Sequence, residues 1–288
     1  MRVAVVAGPD PGHAFPAVGL ALRLRAAGWA PVVYTGGRWV GRLQAAGLVA
    51  VELPGVVSGP GEPDDDWGFR LHGRAAAMAP MLADRLRVDR PDLVVADTLT
   101  AAGGLAAELL GLPWVELVPH PLQLASVALP PPGSGLAAGR TPVGRARDAA
   151  LRRLHARSVR LGRQQRMAAR ASIGLPAADP GPAHRLIATL PALEPPRPDW
   201  PARTDVVGPL HWEPATGELA PPAGSGPLIL VSPPTAGSGR VGLVEAVLAA
   251  VARLRGLRVA ATVLAPYPGQ VPEWAAIGPG RQAPLLAA

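Results

Sequence analysis

The chain has 288 residues, 49% of them apolar and 17% charged, a composition that folds rather than stays disordered. It has no cysteine and no lysine, all 28 basic residues being arginine. This excludes disulfides, thiolate nucleophiles, cysteine metal sites, Schiff-base chemistry and the lysine of a P-loop.

The opening MRVAVVAG holds too short an apolar run for a secretory signal. No later run approaches the ~20 apolar residues of a membrane span, so a soluble, cytoplasmic protein is expected. Residues 2–7 read as a buried strand. A helix is predicted over 15–27, with Pro16 in its first turn and Gly28 at its end. PVVYT (31–35) is strand-like, 38–46 a short helix closed by Gly47, and 49–53 a third strand. Residues 54–68 form a loop rich in glycine, proline and acid, and 69–88 a helix. DLVVA (92–96) and 114–118 read as strands flanking a helix at 101–110. Strands alternating with helices indicate βαβ units and a doubly wound parallel sheet, whose ligands bind beyond the carboxyl ends of the strands.

A proline-broken loop over 119–139 leads into a basic stretch, 139–170, with ten arginines against Asp148. That excess is larger than the net +7 of the whole chain. Val143, Ala146, Ala150, Leu151, Leu154 and Leu161 recur at helical spacing, which predicts a surface helix with a solvated arginine face. No aromatic residue interleaves the arginines for stacking on bases, so nucleic acid is not expected as a partner. Weak peripheral membrane contact through the same stretch is the minor alternative.

Ten of the 37 residues over 191–227 are proline, a stretch expected to interrupt regular structure. The implied organisation is a complete Rossmann-like domain over 1–205, a linker over 206–226 and a partial second Rossmann-like domain over 227–288. The second domain opens as the first does: a strand at 227–232, a Gly/Ser/Pro loop, a helix at 240–254 and a strand at 258–264. Its 62 residues are few for a domain of this type, and the sequence reads as shortened.

The first loop, AGPDPGHAFPA, is not a dinucleotide turn. Pro9 and Pro11 lack the N–H groups a phosphate needs, and Asp10 repels one. His13 makes chemical sense as a general base. A helix N-terminus disfavours the imidazolium and leaves the ring able to take a proton. Asp97, at the end of another strand on the same rim, is placed to hold one ring nitrogen. The plain alternative is that each side chain caps its own helix.

Three segments carry a family resemblance: VAVVAGPDPGHAFPAVGLALRLRAAGWAPVVYTGGRWVGRLQAAGLVAVELPG, PDLVVADTLTAAGGLAAELLGLPWVELVPH and DVVGPLHWEPATGELAPPAGSGPLILVSPPTA. Together they resemble the nucleotide-sugar-dependent glycosyltransferases of the GT-B fold, in the family-1 branch that modifies macrolides and other natural products. The resemblance implies an inverting hexosyl transfer to a hydroxyl of a small lipophilic acceptor, with His13 as base and Asp97 orienting it. It implies a UDP- or dTDP-sugar as co-substrate, with no metal and no other cofactor. Ser232, Thr235 and Gly237 would lie at the donor diphosphate, and Trp67, Phe69, His72, His120 and Leu122 would line the acceptor pocket. One departure stands out: the histidine- and glycine-rich donor motif of that family is missing before Ala288. The competing reading is therefore a catalytically inactive remnant, or an auxiliary protein that binds an acceptor or partner without turnover.

Overall fold

The computed structural model describes residues 1–56, 69–214, 217–233, 242–254, 256–263 and 266–287. It divides into two units, one of Met1–Pro9 and His13–His211, the other of Asp10–Gly12 and Trp212–Ala288.

The first unit is built on a seven-stranded, all-parallel sheet. Its strands are β1 (Arg2–Val6), β2 (Ala30–Thr35), β3 (Val49–Glu52), β4 (Leu93–Asp97), β5 (Trp114–Val118), β6 (His184–Ile187) and β7 (Thr204–Val206), in the order β3-β2-β1-β4-β5-β6-β7. The chain runs outward from β1 to β3, then returns to lay β4 on the other side of β1. β1 and β4 are thus neighbours across the point where strand order reverses, with Val6 opposite Ala96. In open parallel sheets that reversal opens a crevice beyond the strand ends, and ligands bind there.

Helices α1 (Pro11–Ala26), α2 (Gly37–Ala45), α3 (Arg74–Asp89) and α4 (Ala102–Leu109) make the crossovers. α1 starts four residues before the expected position. Pro11 takes the opening place, where a missing N–H costs nothing, and Pro16 lies inside the helix rather than in its first turn. His13 consequently sits within the first turn. α3 is preceded by one π-helical turn, Phe69–Gly73. Val6 and Ala4 of β1, with Val94 and Ala96 of β4, pack into a core completed by Leu82, Leu86 and Ala106 of the helices.

The approach of α4 to the sheet depends on two glycines. A Cβ on Gly103 would come within 3.0 Å of the side chains of Ala96 and Val6, and one on Gly104 would press on the Trp114 ring at 3.0 Å. Only hydrogen fits at either place.

β6 and β7 were not foreseen, and β7 falls inside the proline-rich 191–227 stretch expected to hold no sheet. A three-residue edge strand needs few ladder bonds, here Arg185 N–H to the Arg203 carbonyl and Val207 N–H to that of Ile187. The prolines flank it instead of occupying it.

Helix α5 (Pro142–Ser172) forms as predicted, capped by the Thr141 hydroxyl accepting from the Gly144 N–H at 3.1 Å. Its arginine face is solvated as expected, with Arg145, Arg153, Arg157, Arg160 and Arg163 exposed, but most of the apolar positions are exposed too. The side chains buried along it are Asp148 and Arg170, whereas Val143, Leu154 and Leu161 are 80%, 72% and 55% exposed. Most of the apolar stripe is solvated beside the arginines, only Leu151 of it being half-buried, and the helix meets the protein through a mixed face that includes Asp148 and Arg170.

The second unit holds a parallel three-stranded sheet, β8 (Leu228–Val231), β9 (Arg258–Thr262) and β10 (Ala275–Gly278), in the order β10-β9-β8. Helices α6 (Leu243–Val251) and α7 (Gln282–Leu286) accompany it. Val231, Val244, Val251, Val259 and Ala261 form its core. The order repeats β3-β2-β1 of the first sheet, except that β8 is an edge strand among the described residues.

Gly103→Val is expected to lower stability by about 1–3 kcal/mol, the cost of forcing a branched side chain into a filled contact. Urea denaturation followed by circular dichroism measures it; an unchanged midpoint would mean α4 does not lie as close to the sheet as described.

Candidate active site

The site begins with two neighbouring strand ends. After β1 the chain turns through Gly8 and Pro9, and this turn is pinned from three directions. Thr35 Oγ1 donates to the Gly8 carbonyl at 3.1 Å. Trp39 Nε1 donates to the Pro9 carbonyl at 2.7 Å, joined by the Arg38 guanidinium. The Gly8 N–H donates to Thr100 Oγ1 at 2.7 Å. With its turn fixed, α1 delivers His13 to the rim over β4.

There Asp97 Oδ1 lies 2.7 Å from His13 Nδ1. The Asp97 side chain is fully buried and the His13 side chain 17% exposed. The other carboxylate oxygen, Oδ2, accepts from the Leu99 N–H at 3.1 Å and from Thr100 Oγ1 at 3.2 Å. One carboxylate therefore caps the turn into α4 and holds the imidazole at the same time. The two explanations weighed for Asp97 in the sequence are not exclusive, since each uses a different oxygen. With the carboxylate on Nδ1, that nitrogen carries the hydrogen of the neutral ring and Nε2 is the basic one.

His120, just past the end of β5, stands edge-on to His13 with ring centroids 6.3 Å apart. Its Nδ1 lies 2.9 Å from the Pro121 carbonyl. A carbonyl only accepts, so Nδ1 is the donor and the Nε2 of His120 also presents a lone pair. The loop that carries His120 is strapped by residues 194–199. Leu122 N–H donates to Glu194 Oε1 at 2.9 Å, while Ser126 Oγ and Val127 N–H donate to Asp199 at 2.7 and 2.9 Å. Arg197 bonds the carbonyls of Leu124 and Ala125. Glu194 Oε2 is buried without a hydrogen-bond partner among the described residues. The hydroxyl of Ser126 and the amide of Val127 hold the Asp199 carboxyl well below the usual carboxylate range.

Of the other expected acceptor residues, His72 follows Phe69 in the π-helical turn, and its charged neighbours are Arg166 and Asp179. Burial first, then the Arg166 charge, push its imidazole below the ordinary value against the opposing pull of Asp179. The side chain of Phe69 and all of Trp67 lie outside the described residues, as do Thr235 and Gly237.

Ser232 is described, and it has company that the sequence did not reveal. Gln282 Nε2 donates to Ser232 Oγ at 2.8 Å and to Thr262 Oγ1 at 3.0 Å. These residues follow or close β8, β9 and β10, so three neighbouring strands each bring one polar group to the carboxyl end of the second sheet. Glu213 Oε1 accepts from the Gln282 N–H at 2.5 Å and fixes the start of α7. Gln282 is 20 and 50 residues from its partners and follows no local pattern, which is why reading along the chain missed it. Thr100 was missed as well, although a local signal existed for it: an aspartate followed by a hydroxyl three residues on, at a strand-to-helix turn, is an ordinary capping arrangement.

Among the described residues no three His, Asp or Glu side chains group as a metal site, and no helix is long and apolar enough to cross a membrane.

No protein-family model matches the chain. It is 34% identical over 144 residues to the L-demethylnoviosyl transferase of Streptomyces niveus, a match spanning 44% of this chain and 38% of that protein. The chain thus matches well under half the length of this curated relative. Among solved structures it resembles the glycotransferase of kitacinnamycin, with a TM-score of 0.66 and 20% identity over 96% of this chain and 70% of the other. It also resembles a Streptomyces sp. SF2575 glycosyltransferase complexed with thymidine diphosphate, with a TM-score of 0.57 and 19% identity over 98% and 72% of the two chains. The α/β architecture, a seven-stranded parallel sheet with a smaller parallel one, is that of the GT-B glycosyltransferases of natural-product type, to which the chain is similar in sequence and fold.

Two outcomes test this geometry. Asp97→Asn is expected to shift the ¹⁵N resonances of His13 as Nδ1 loses its anionic partner, and Asp97→Ala to cost about 1–3 kcal/mol by leaving buried donors unpaired. Asp199 has a lowered pKa in the fold, so its contribution is complete above the unfolded carboxyl value and disappears as pH falls toward the folded one. Amide exchange of Val127 should therefore lose protection in strong acid, and in Asp199→Ala at neutral pH.

Proposed function

We propose that the chain is a glycosyltransferase that moves a hexosyl group from a nucleoside-diphosphate sugar to a hydroxyl of a small lipophilic acceptor, with inversion. The observation that carries this reading is the 2.7 Å contact between His13 Nδ1 and the buried Asp97 carboxylate at the reversal point of the first sheet.

In this mechanism Nε2 of His13 takes the acceptor's hydroxyl proton. The oxygen attacks the anomeric carbon as the bond from that carbon to the diphosphate oxygen breaks, and the nucleoside diphosphate leaves with the electron pair. Asp97 stabilises the imidazolium that forms and keeps Nδ1 protonated, so Nε2 remains the base. The field of the first turn of α1 opposes a permanent charge on the ring, which favours return of the proton to solvent after transfer. His120 and Leu122 belong to the acceptor side of the reaction, the Nε2 of His120 accepting from an acceptor hydroxyl. Trp67, Phe69 and His72 are candidate acceptor contacts from the sequence alone.

Donor binding falls to the second unit. The polar groups of Ser232, Thr262 and Gln282 at the strand ends suit a nucleotide's ribose and phosphate oxygens, and Thr235 and Gly237, which follow Ser232 in the sequence, are further candidates for the diphosphate. The thymidine diphosphate bound by a structural neighbour supports a nucleoside-diphosphate donor. The pairing of each unit's strand-end chemistry with one substrate is the reason to prefer a transferase over a protein that only binds.

The test is transfer from dTDP- and UDP-sugars to phenolic and macrolide acceptors, read by mass spectrometry. His13→Ala should lower kcat by ~10²–10⁴, the range for a positioned base, and Asp97→Asn should lower it with little change in acceptor affinity. Acceptor binding by calorimetry with no nucleotide binding and no product would instead establish the auxiliary role.

A further inference from the structure

Helix α5 is attached through a few polar side chains. Asp148 accepts from the Gly139 N–H at 2.7 Å, Arg152 donates to the Leu129 carbonyl at 2.9 Å, and Arg166 is ion-paired with Asp179. Near its end, Arg170, 1% exposed, makes a two-pronged contact with Glu108 at 3.0 and 2.7 Å and bonds the Pro176 carbonyl. These clips hold a 31-residue helix against the first unit without burying its apolar stripe.

That stripe is regular. Val143, Ala150, Leu154, Leu161 and Ala168 recur at intervals of seven, four, seven and seven, so they lie along one side of the helix, and all five are exposed. Arg153, Arg157 and Arg160, at i, i+4 and i+7, run along one border and are exposed too. An amphipathic helix normally turns the opposite way, since burying leucine is worth about 1.5–3 kcal/mol and burying arginine costs. Here the polar contacts fix an orientation that leaves Leu154 and Leu161 outward.

We infer that this face of α5 is a docking surface for an amphipathic helix of another protein, with apolar residues along its seam and Asp or Glu along its border. Charge selects that occupant. A second copy of this chain would bring another arginine row to the same seam, and like charges there oppose pairing. A lipid surface suits the arginines, but the stripe is narrow, two of its five residues are alanine, and the helix has no Trp, Phe or Tyr to enter the headgroup layer. A facing helix, in contrast, needs only a narrow seam and reads the i, i+4, i+7 spacing directly. The inference does not depend on the transfer reaction.

The test uses the full chain and two synthetic 28-residue peptides, each with leucine along one helical seam, one bordered by glutamate and the other by lysine. Fluorescence anisotropy should show the glutamate peptide binding at least tenfold more tightly than the lysine peptide. Leu154→Asp with Leu161→Asp should weaken it at least tenfold, with helicity unchanged by circular dichroism. Arg153→Glu, Arg157→Glu and Arg160→Glu together should reverse the preference. Three results would overturn the inference: no binding of the glutamate peptide, binding that ignores both sets of substitutions, or sedimentation showing self-association that the leucine substitutions abolish. Phosphatidylglycerol vesicles that bind in the absence of peptide binding would reassign the face to lipid.

Discussion

The arrangement of the first unit turns on one buried carboxylate. Asp97 sits at the end of β4 with nothing but protein around it, a position that costs several kcal/mol for a charge left unpartnered. It is satisfied by a backbone amide, a threonine hydroxyl and an imidazole, from two chain segments more than 80 residues apart. Because Thr100 also accepts from the Gly8 N–H, the turn after β1 and the turn after β4 are held as one piece. Whatever moves one moves the other. That rigidity is what the role proposed for His13 would need, since a ring free to rotate spends most of its time aimed elsewhere.

The geometry around this carboxylate follows from packing remote from it. Asp97 reaches His13 only because β4 is laid beside β1 instead of beside β3, and α4 returns along the sheet only because Gly103 admits it within touching distance of Val6 and Ala96. The second unit follows the same logic in simpler form. Three parallel strands end together, and Gln282 ties the hydroxyls of Ser232 and Thr262 into a polar edge. Each sheet thus places its polar groups at the carboxyl ends of its strands, where helix N-termini and open amides favour oxygen-rich ligands.

α5 shows how polar contacts can override hydrophobic orientation. The Arg170–Glu108 pair is nearly sealed from solvent, and separating a buried pair of this kind costs far more than a surface ion pair contributes. Glu108 raises the already high proton affinity of the Arg170 guanidinium, so the arginine stays charged on the alkaline side. With the helix end locked in that way and its start tied through Asp148 to Gly139, its rotation about its own axis is set, and Leu154 and Leu161 face out.

Much of the fold was legible along the chain because its signals are local. The β–α alternation through Val118, the glycines that close α1 and α2, and the strand–loop–helix opening of the second unit all declare themselves within a few residues. His13 and Asp97 could be named as candidates because each follows or ends an apolar run. What the residues could not declare is which strands are neighbours, since a parallel sheet's order is decided by long-range hydrogen bonding and helix packing that leave no mark on spacing. The same limit hid β6 and β7, too short and too polar to stand out, and hid Gln282, whose partners lie far off in sequence. For α5, periodicity specified that one side is apolar, and only the Asp148 hydrogen bond near its start and the Arg170–Glu108 ion pair near its end decided that most of this side meets water.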